Sequence, residues 1–337
     1  MSEPTRVVVV GSGFIAGEHL SALEQLPDAE VVGIVDLNPG RAAAAAKSAG
    51  GVPWAVDLGT AIADWSADAA IVCTPNHTHP AIGKVLADAG VHALIEKPLA
   101  ITPADAAELV RVFEDKGLVL SAAHTHRYAP YARAVRQAIV DGAVGRPLQA
   151  RITLLGGWIW GDWRNWQIDR SRSGGHALHN GVHLLDLVTW WLGDTPTHLH
   201  AYGRKRAAAD LEVHDYLMIT VGYASGASAV CEMSRANQPR GIGYREVFVQ
   251  GDGGTLRLPW DNEGLLSWGH DGTRVVPAGP SPFLAQARTW LAAVRGDQLE
   301  EEPVTGRTGL AAVVLGDAAE RSLASGTMIT LEQEAAA

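Results

Sequence analysis

At 337 residues the chain is long for one ordinary domain and suits two, each able to bury its own core. Hydrophobic residues at 47% and charged residues at 19% describe a soluble globular protein, and a formal charge of −10, from 27 Lys and Arg against 37 Asp and Glu, argues against nucleic acid as a partner, because phosphate binding needs a basic stripe. No apolar stretch approaches the roughly 20 residues of a membrane span, the N-terminus enters a strand without room for a leader, and Cys73 and Cys231 suit buried thiols of a reducing compartment, so a cytoplasmic protein is expected.

Residues 6–10 form the first predicted strand, an unbroken apolar run suited to burial on both faces of a parallel sheet. The turn Gly11-Ser12-Gly13-Phe14-Ile15-Ala16 hands over to a helix through Leu26. Strand 31–35 ends at Asp36, and an alanine-rich helix (41–49), a short apolar segment (52–54), strand 69–73, helix 80–89, strand 91–95, helix 103–116 and strand 118–123 come after it. Strands alternating with helices predict βαβ units and a doubly wound α/β parallel sheet over residues 1–124. After that the pattern changes. Helices over 131–140 and near 175–192 precede alternating runs at 215–223, 227–233, 246–250 and 255–258, linked by turns such as Gly251-Asp252-Gly253-Gly254. Such runs predict a second, α+β domain over 125–337 with a large, mostly antiparallel sheet. Helices over 282–295 and 308–325 close the chain and are free to pack back on the first domain.

Gly11-x-Gly13-x-x-Ala16 follows a strand and opens a helix, and Asp36 lies at the end of the next strand. This is the context of a dinucleotide fingerprint: glycines let the backbone reach a pyrophosphate, the N–H groups of Phe14, Ile15 and Ala16 face its charge, and the acid takes ribose hydroxyls. Asp36 favours NAD over NADP by repelling a 2′-phosphate, a preference that nearby Arg41 softens. Thr74-Pro75-Asn76, with His79, leaves the fourth strand at the same sheet edge, where it faces the cofactor or forms a turn in which Asn76 and Thr78 cap the next helix.

Glu96-Lys97-Pro98 closes the run 91–95 and delivers an ammonium to the mouth of the sheet, where such folds bind ligands. Desolvation there makes Lys97 a partner for a substrate hydroxyl; the plainer alternative pairs it with Glu96. On a helix His176, His179, His183 and Asp186 share one face, with Gly181 opposite to allow close packing. Histidine is suited to taking and returning a proton near neutral pH. The same spacing admits zinc, but hydride transfer to NAD needs only a base and orientation, and no metal is expected. Four tryptophans, Trp158, Trp160, Trp163 and Trp166, stand beside Asp162, Arg164 and Asn165, a mixture that fits a sugar pocket or an oligomer interface. His124 and Arg127 leave the sixth strand at the domain junction as further pocket or hinge residues.

Gly11-x-Gly13-x-x-Ala16, Thr74-Pro75-Asn76 with His79, Glu96-Lys97-Pro98, Arg127 with Pro130, Gly142-x-x-Gly145, Trp163-Arg164, and Gly174-Gly175 leading to Gly181-Val182-His183-x-x-Asp186 together resemble the Gfo/Idh/MocA oxidoreductases over nearly the whole chain. The resemblance implies an NAD-linked dehydrogenase of a sugar, inositol or related polyol. It implies that Lys97 and His183 flank the reacting hydroxyl and that the second domain carries an open-faced sheet through which the chain forms a homodimer or homotetramer; His179 is a further catalytic candidate, and His124, Arg127, Trp160, Trp163, Arg164, His176, His179 and His183 are the candidate substrate-side residues. Many members carry Asp where this chain has His179, which keeps open a redox-neutral glycoside hydrolase that uses NAD transiently; a non-catalytic dinucleotide sensor is a third reading.

Overall fold

The computed structural model describes residues 3–156, 165–206, 211–237, 243–259, 264–269, 272–277, 281–299 and 301–331. The chain divides into two compact units, Met1–Tyr128 with Ser281–Val313, and Ala129–Pro280 with Val314–Ala337.

In the first unit the parallel strands β1 (Thr5–Val10), β2 (Ala29–Val35), β3 (Trp54–Ala55), β4 (Ala69–Val72), β5 (His92–Glu96) and β6 (Leu120–Ala123) lie in the order β3-β2-β1-β4-β5-β6. Helices α1 (Phe14–Leu23), α2 (Pro39–Ser48), α3 (Leu58–Trp65), α4 (His79–Asp88) and α5 (Pro103–Asp115) connect them. Val7–Val10, Ala69–Val72 and Ala93–Ile95 are buried, as strands covered on both faces must be. The strand order reverses between β1 and β4, which opens a crevice at their C-terminal ends. The sequence pattern missed α3, although Asp57 carries the signal: its carboxylate accepts the Thr60 N–H (2.8 Å) and caps the helix.

The second unit contains α6 (Pro130–Val140), β7 (Pro147–Leu155), α7 (Arg170–Ser173), α8 (Val182–Leu192), β8 (Pro196–Arg204), β9 (Tyr216–Tyr223), β10 (Ser228–Ser234), β11 (Tyr244–Gly251) and β12 (Thr255–Pro259). A separate hairpin pairs β13 (Gly264–Gly269) with β14 (Gly272–Pro277). Helix α9 (Pro282–Arg295) belongs to the first unit, where Ala287, Trp290 and Leu291 share a core with Ala16, Ala22 and Leu23 of α1. The division of the chain falls inside α10 (Gly306–Ser325), and β15 (Ile329–Thr330) ends the second sheet.

That sheet has seven strands in the order β12-β11-β7-β10-β9-β8-β15; β7 and β10 pair in parallel and the other neighbours are antiparallel. Leu199, Leu217, Ile219, Val221, Ala229 and Cys231 point into a core shared with Leu184, Leu185, Val188 and Trp191 of α8. The indole N–H of Trp191 donates to the Ala132 carbonyl (3.0 Å), tying α8 to α6. The alternate positions Tyr202 and Met218 are exposed, so one face of the sheet stays open. Among the described residues, no helix is long and apolar enough to cross a membrane.

Candidate active site

The candidate cofactor-side residues converge because β1, β2, β4 and β5 run in parallel and end at one edge. Gly11 leaves β1 at φ +90°, and a Cβ there would stand 2.7 Å from the Cys73 carbonyl oxygen at the end of β4; only glycine fits at this crossing. Gly13 has the opposite property. It opens α1 in extended conformation, nothing lies within 4 Å of where its Cβ would be, and no side chain caps the helix. An open glycine beside an uncapped helix N-terminus is a cradle for a phosphate group. Phe14 next to it is exposed, Ile15 is half-buried and Ala16 turns into the core.

Asp36, at the end of β2, accepts hydrogen bonds from Ser12 N (2.9 Å), Ser12 Oγ (2.7 Å), Asn38 N (2.8 Å) and Arg41 Nη2 (2.9 Å). Burial opposes its ionisation, but the bonds from Arg41, Asn38 and Ser12 outweigh it and hold the carboxyl at about 2. Arg41 is therefore an ion-pair partner of Asp36, and that placement neutralises part of the guanidinium's attraction for a 2′-phosphate.

At the end of β4 the Thr78 hydroxyl turns back to Thr74 Oγ1 and the Pro75 carbonyl (both 2.7 Å), so it does not cap α4 as the sequence suggested. Asn76 is buried in this turn. His79 is fully buried, its Nδ1 2.8 Å from the Pro98 carbonyl and its Nε2 2.8 Å from that of Thr74; burial lowers its pKa. It braces the Thr74 turn against the Glu-Lys-Pro turn.

Glu96 turns onto α1, where its Oε1 lies 3.0 Å from His19 Nε2, and its Oε2 accepts the Lys97 N–H (3.2 Å). Burial raises its pKa, while His19, Lys97 and His79 lower it further, and the net shift is downward. Lys97 is half-buried and comes directly after it. Glu96 pairs in register with Ala123, so Lys97 and His124 leave neighbouring strands side by side. His124 is buried, Arg127 is half-buried in the next turn, and Thr125 Oγ1 donates to Gln286 Oε1 (3.0 Å).

In the second unit the histidine helix departs from the regular α-geometry expected of it. Residues Ala177–Gly181 form a π-turn before α8. One extra residue in a turn rotates the two flanking segments by about 100° relative to each other. His176 thus leaves the face of His183, and its Nδ1 lies 2.6 Å from the His214 carbonyl. His179 is buried edge-on against the Trp166 ring, with centroids 5.1 Å apart. His183 is half-buried, more open than either, and Asp186 one turn on is buried. The close approach expected at Gly181 falls instead at Gly316 of α10. A Cβ on Gly181 would meet only ordinary contacts, whereas one on Gly316 would stand 2.9 Å from Leu178 Cδ1 and 3.0 Å from Val182 Cγ1.

Trp158, Trp160, Trp163 and Arg164 lie outside the described residues. Three contributors escaped the sequence reading. His19 sits among Ala16, Ala22 and Leu23 on the buried face of α1, where a lone histidine in an apolar row is a visible signal. Asn180 Oδ1 accepts a bond from Arg235 Nη2 (3.1 Å), and burial lowers that guanidinium to about 9. Glu320 reaches the first amides of the histidine helix from α10. Neither Asn180 nor Glu320 carries a local signal. Both cysteines are buried free thiols with pKa values raised by burial, a setting that suppresses thiolate chemistry. Among the described residues, no three His, Cys, Asp or Glu side chains are grouped to hold a metal ion.

Strand order 3-2-1-4-5-6, a glycine turn at the switch point and an acid at the end of β2 define a dinucleotide-binding fold of the nicotinamide-linked oxidoreductase class. Residues 5–124 match the model of the oxidoreductase family with an NAD-binding Rossmann fold, and residues 132–257 match the GFO/IDH/MocA C-terminal domain. The chain belongs to the Gfo/Idh/MocA family. It is 29% identical to D-apiose dehydrogenase of Paraburkholderia graminis over 96% of this chain and 89% of that one, and 28% identical to inositol 2-dehydrogenase of Rhizobium meliloti over 97% and 99%. The crystal structure of GenD2 from gentamicin A biosynthesis, in complex with NAD, superposes with a TM-score of 0.88 at 26% identity, covering 98% of this chain and 97% of that one.

Proposed function

We propose that the chain oxidises a secondary hydroxyl of a sugar, inositol or related polyol, or reduces the corresponding ketone, with Lys97 and His183 at the reacting oxygen. The observation that carries this reading is Lys97 at the end of β5, on the same sheet edge as the glycine turn and Asp36. NAD, when bound, supplies the hydride acceptor. Gly11, Gly13 and the first amides of α1 hold its pyrophosphate, and Asp36, fixed as an anion, takes the ribose hydroxyls and disfavours a 2′-phosphate. Lys97 donates a hydrogen bond to the substrate oxygen and stabilises charge developing there, while His183 takes the hydroxyl proton on Nε2. The names of the D-apiose and inositol relatives support a sugar or polyol as the substrate class. The same reading places the enzyme in the cytoplasm, associated through the open face of its second sheet, where Tyr202, Met218 and Tyr244 are exposed.

A second reading rests on His179, which packs on Trp166 and stands where the family resemblance leads one to expect Asp: a glycoside hydrolase that oxidises and re-reduces its substrate without net NADH. One experiment separates the two. Free sugars, inositols and aryl glycosides are incubated with NAD while NADH absorbance and aglycone release are followed together. Lasting NADH supports the dehydrogenase and aglycone without NADH supports the hydrolase. Silence in both moves the weight to a dinucleotide-binding sensor or to a substrate outside the panel.

A further inference from the structure

The helix that carries His179 and His183 begins without a cap of its own. Gly174 and Gly175 precede it, both at positive φ; Ser173 Oγ accepts the Gly175 N–H (3.2 Å) just before it, and the His176 side chain at the N-cap makes no cap bond. The first amides of the helix need an acceptor, and the positive end of a helix favours an anion. The acceptor arrives from α10: Glu320 Oε1 takes the Ala177 N–H (2.7 Å), and the same carboxylate accepts from Leu178. Two glycines make this possible. Gly316, one turn before Glu320 on the same face of α10, admits Leu178 and Val182 against the helix backbone. A Cβ on Gly175 would overlap the Glu320 carboxylate, so the glycine pair leaves the space that Glu320 fills.

We propose that Glu320 is a positioning residue: from 143 residues further along the chain it caps the π-turn and fixes the direction in which His179 and His183 point. This rests on the reading of His183 as the proton acceptor. The charged groups around Glu320 are Arg170 of α7, whose Nη2 lies 3.7 Å away, and Asp317 on its own helix. Burial, reinforced by Asp317 and opposed by the Ala177 amide and Arg170, raises Glu320 to about 7. The carboxylate is the stronger acceptor, so the cap tightens as pH rises through neutrality.

The test compares Glu320→Gln, which keeps an acceptor but never ionises, with Glu320→Ala, which removes it. With a sugar or polyol that the wild type oxidises, Glu320→Ala lowers kcat by about 10- to 100-fold, the scale of a misplaced reacting group, and leaves the KM for NAD unchanged. The wild-type to Glu320→Gln ratio of kcat stays near one at about pH 5.5 and climbs to about tenfold at about pH 8.5. A ratio that does not change with pH, or wild-type kcat for Glu320→Ala, overturns the proposal. Urea unfolding supplies a readout that needs no substrate. Gly175→Ala must shift the midpoint more when Glu320 is present than in the Glu320→Ala background, beyond the backbone strain common to both; equal shifts overturn the cap even if every substrate fails to react.

Discussion

Two buried glutamates, one in each unit, stand in opposite electrostatic settings. Glu96 lies against His19, with the Lys97 amide on its second oxygen, and its pKa is lowered despite burial. Glu320 faces two neutral amides, with its nearest guanidinium 3.7 Å away, and burial raises it to about 7. Burial alone therefore does not decide the charge of a buried acid; the partner within hydrogen-bond reach does. The first unit's sheet edge carries acids whose pKa values are lowered, Asp36 and Glu96, whereas behind the histidine helix Glu320 is raised to about 7 and exchanges its proton near neutral pH.

The contrast is broken most sharply by Lys97→Met, which removes the ammonium at the Glu-Lys-Pro turn. Turnover is expected to fall by about 10³-fold or more while NAD binding, followed by fluorescence titration, stays intact; a variant that oxidises substrate at the wild-type rate refutes the assignment of Lys97. His19→Leu comes next. It strands the Glu96 carboxylate in the core and costs about 3–5 kcal/mol in denaturant unfolding. Because the folded-state pKa of Glu96 is lowered, its contribution is present above the unfolded value and is lost as pH falls through the folded one. The deficit of His19→Leu is thus largest near neutrality and shrinks below about pH 5; a deficit constant across pH would mean that the pair is not ionic.

Smaller changes sharpen the comparison. Gly316→Ala forces a methyl against Leu178 and Val182 and is expected to cost roughly 1–3 kcal/mol of stability. Asp36→Asn removes the fixed anion at the ribose end: NAD binding weakens about tenfold, equivalent to about 1.4 kcal/mol, and the preference over NADP narrows. Gly181→Ala closes the series. Its Cβ would meet only ordinary contacts, so a change between zero and a gain of about 1 kcal/mol is expected; a loss comparable to that of Gly316→Ala would return the close approach to Gly181.

The cofactor half was largely legible because its signals are local. Gly11, Gly13, Asp36 and Lys97 each sit at a strand end, and a parallel βαβ order sends every such end to one edge. The second unit was less legible. Alternation marked several strands but did not reveal the parallel pairing of β7 with β10, which joins segments about eighty residues apart. Regular α-helical spacing put His176 and His183 on one face, and a π-turn, invisible to periodicity, separated them.

By itself, then, the sequence determined the α/β and α+β plan, the dinucleotide-binding class and the candidate reactive side chains, since these depend on periodicity, glycine conformation and residue chemistry over short spans. Only the tertiary structure decided which partner each group meets. His19 comes to Glu96 across 77 residues and Glu320 to Ala177 across 143, and those meetings set the charge of the buried acids and the aim of the histidines. The physical reason is that protonation and orientation are properties of the surroundings, and chain folding assembles those surroundings from segments with no local relation.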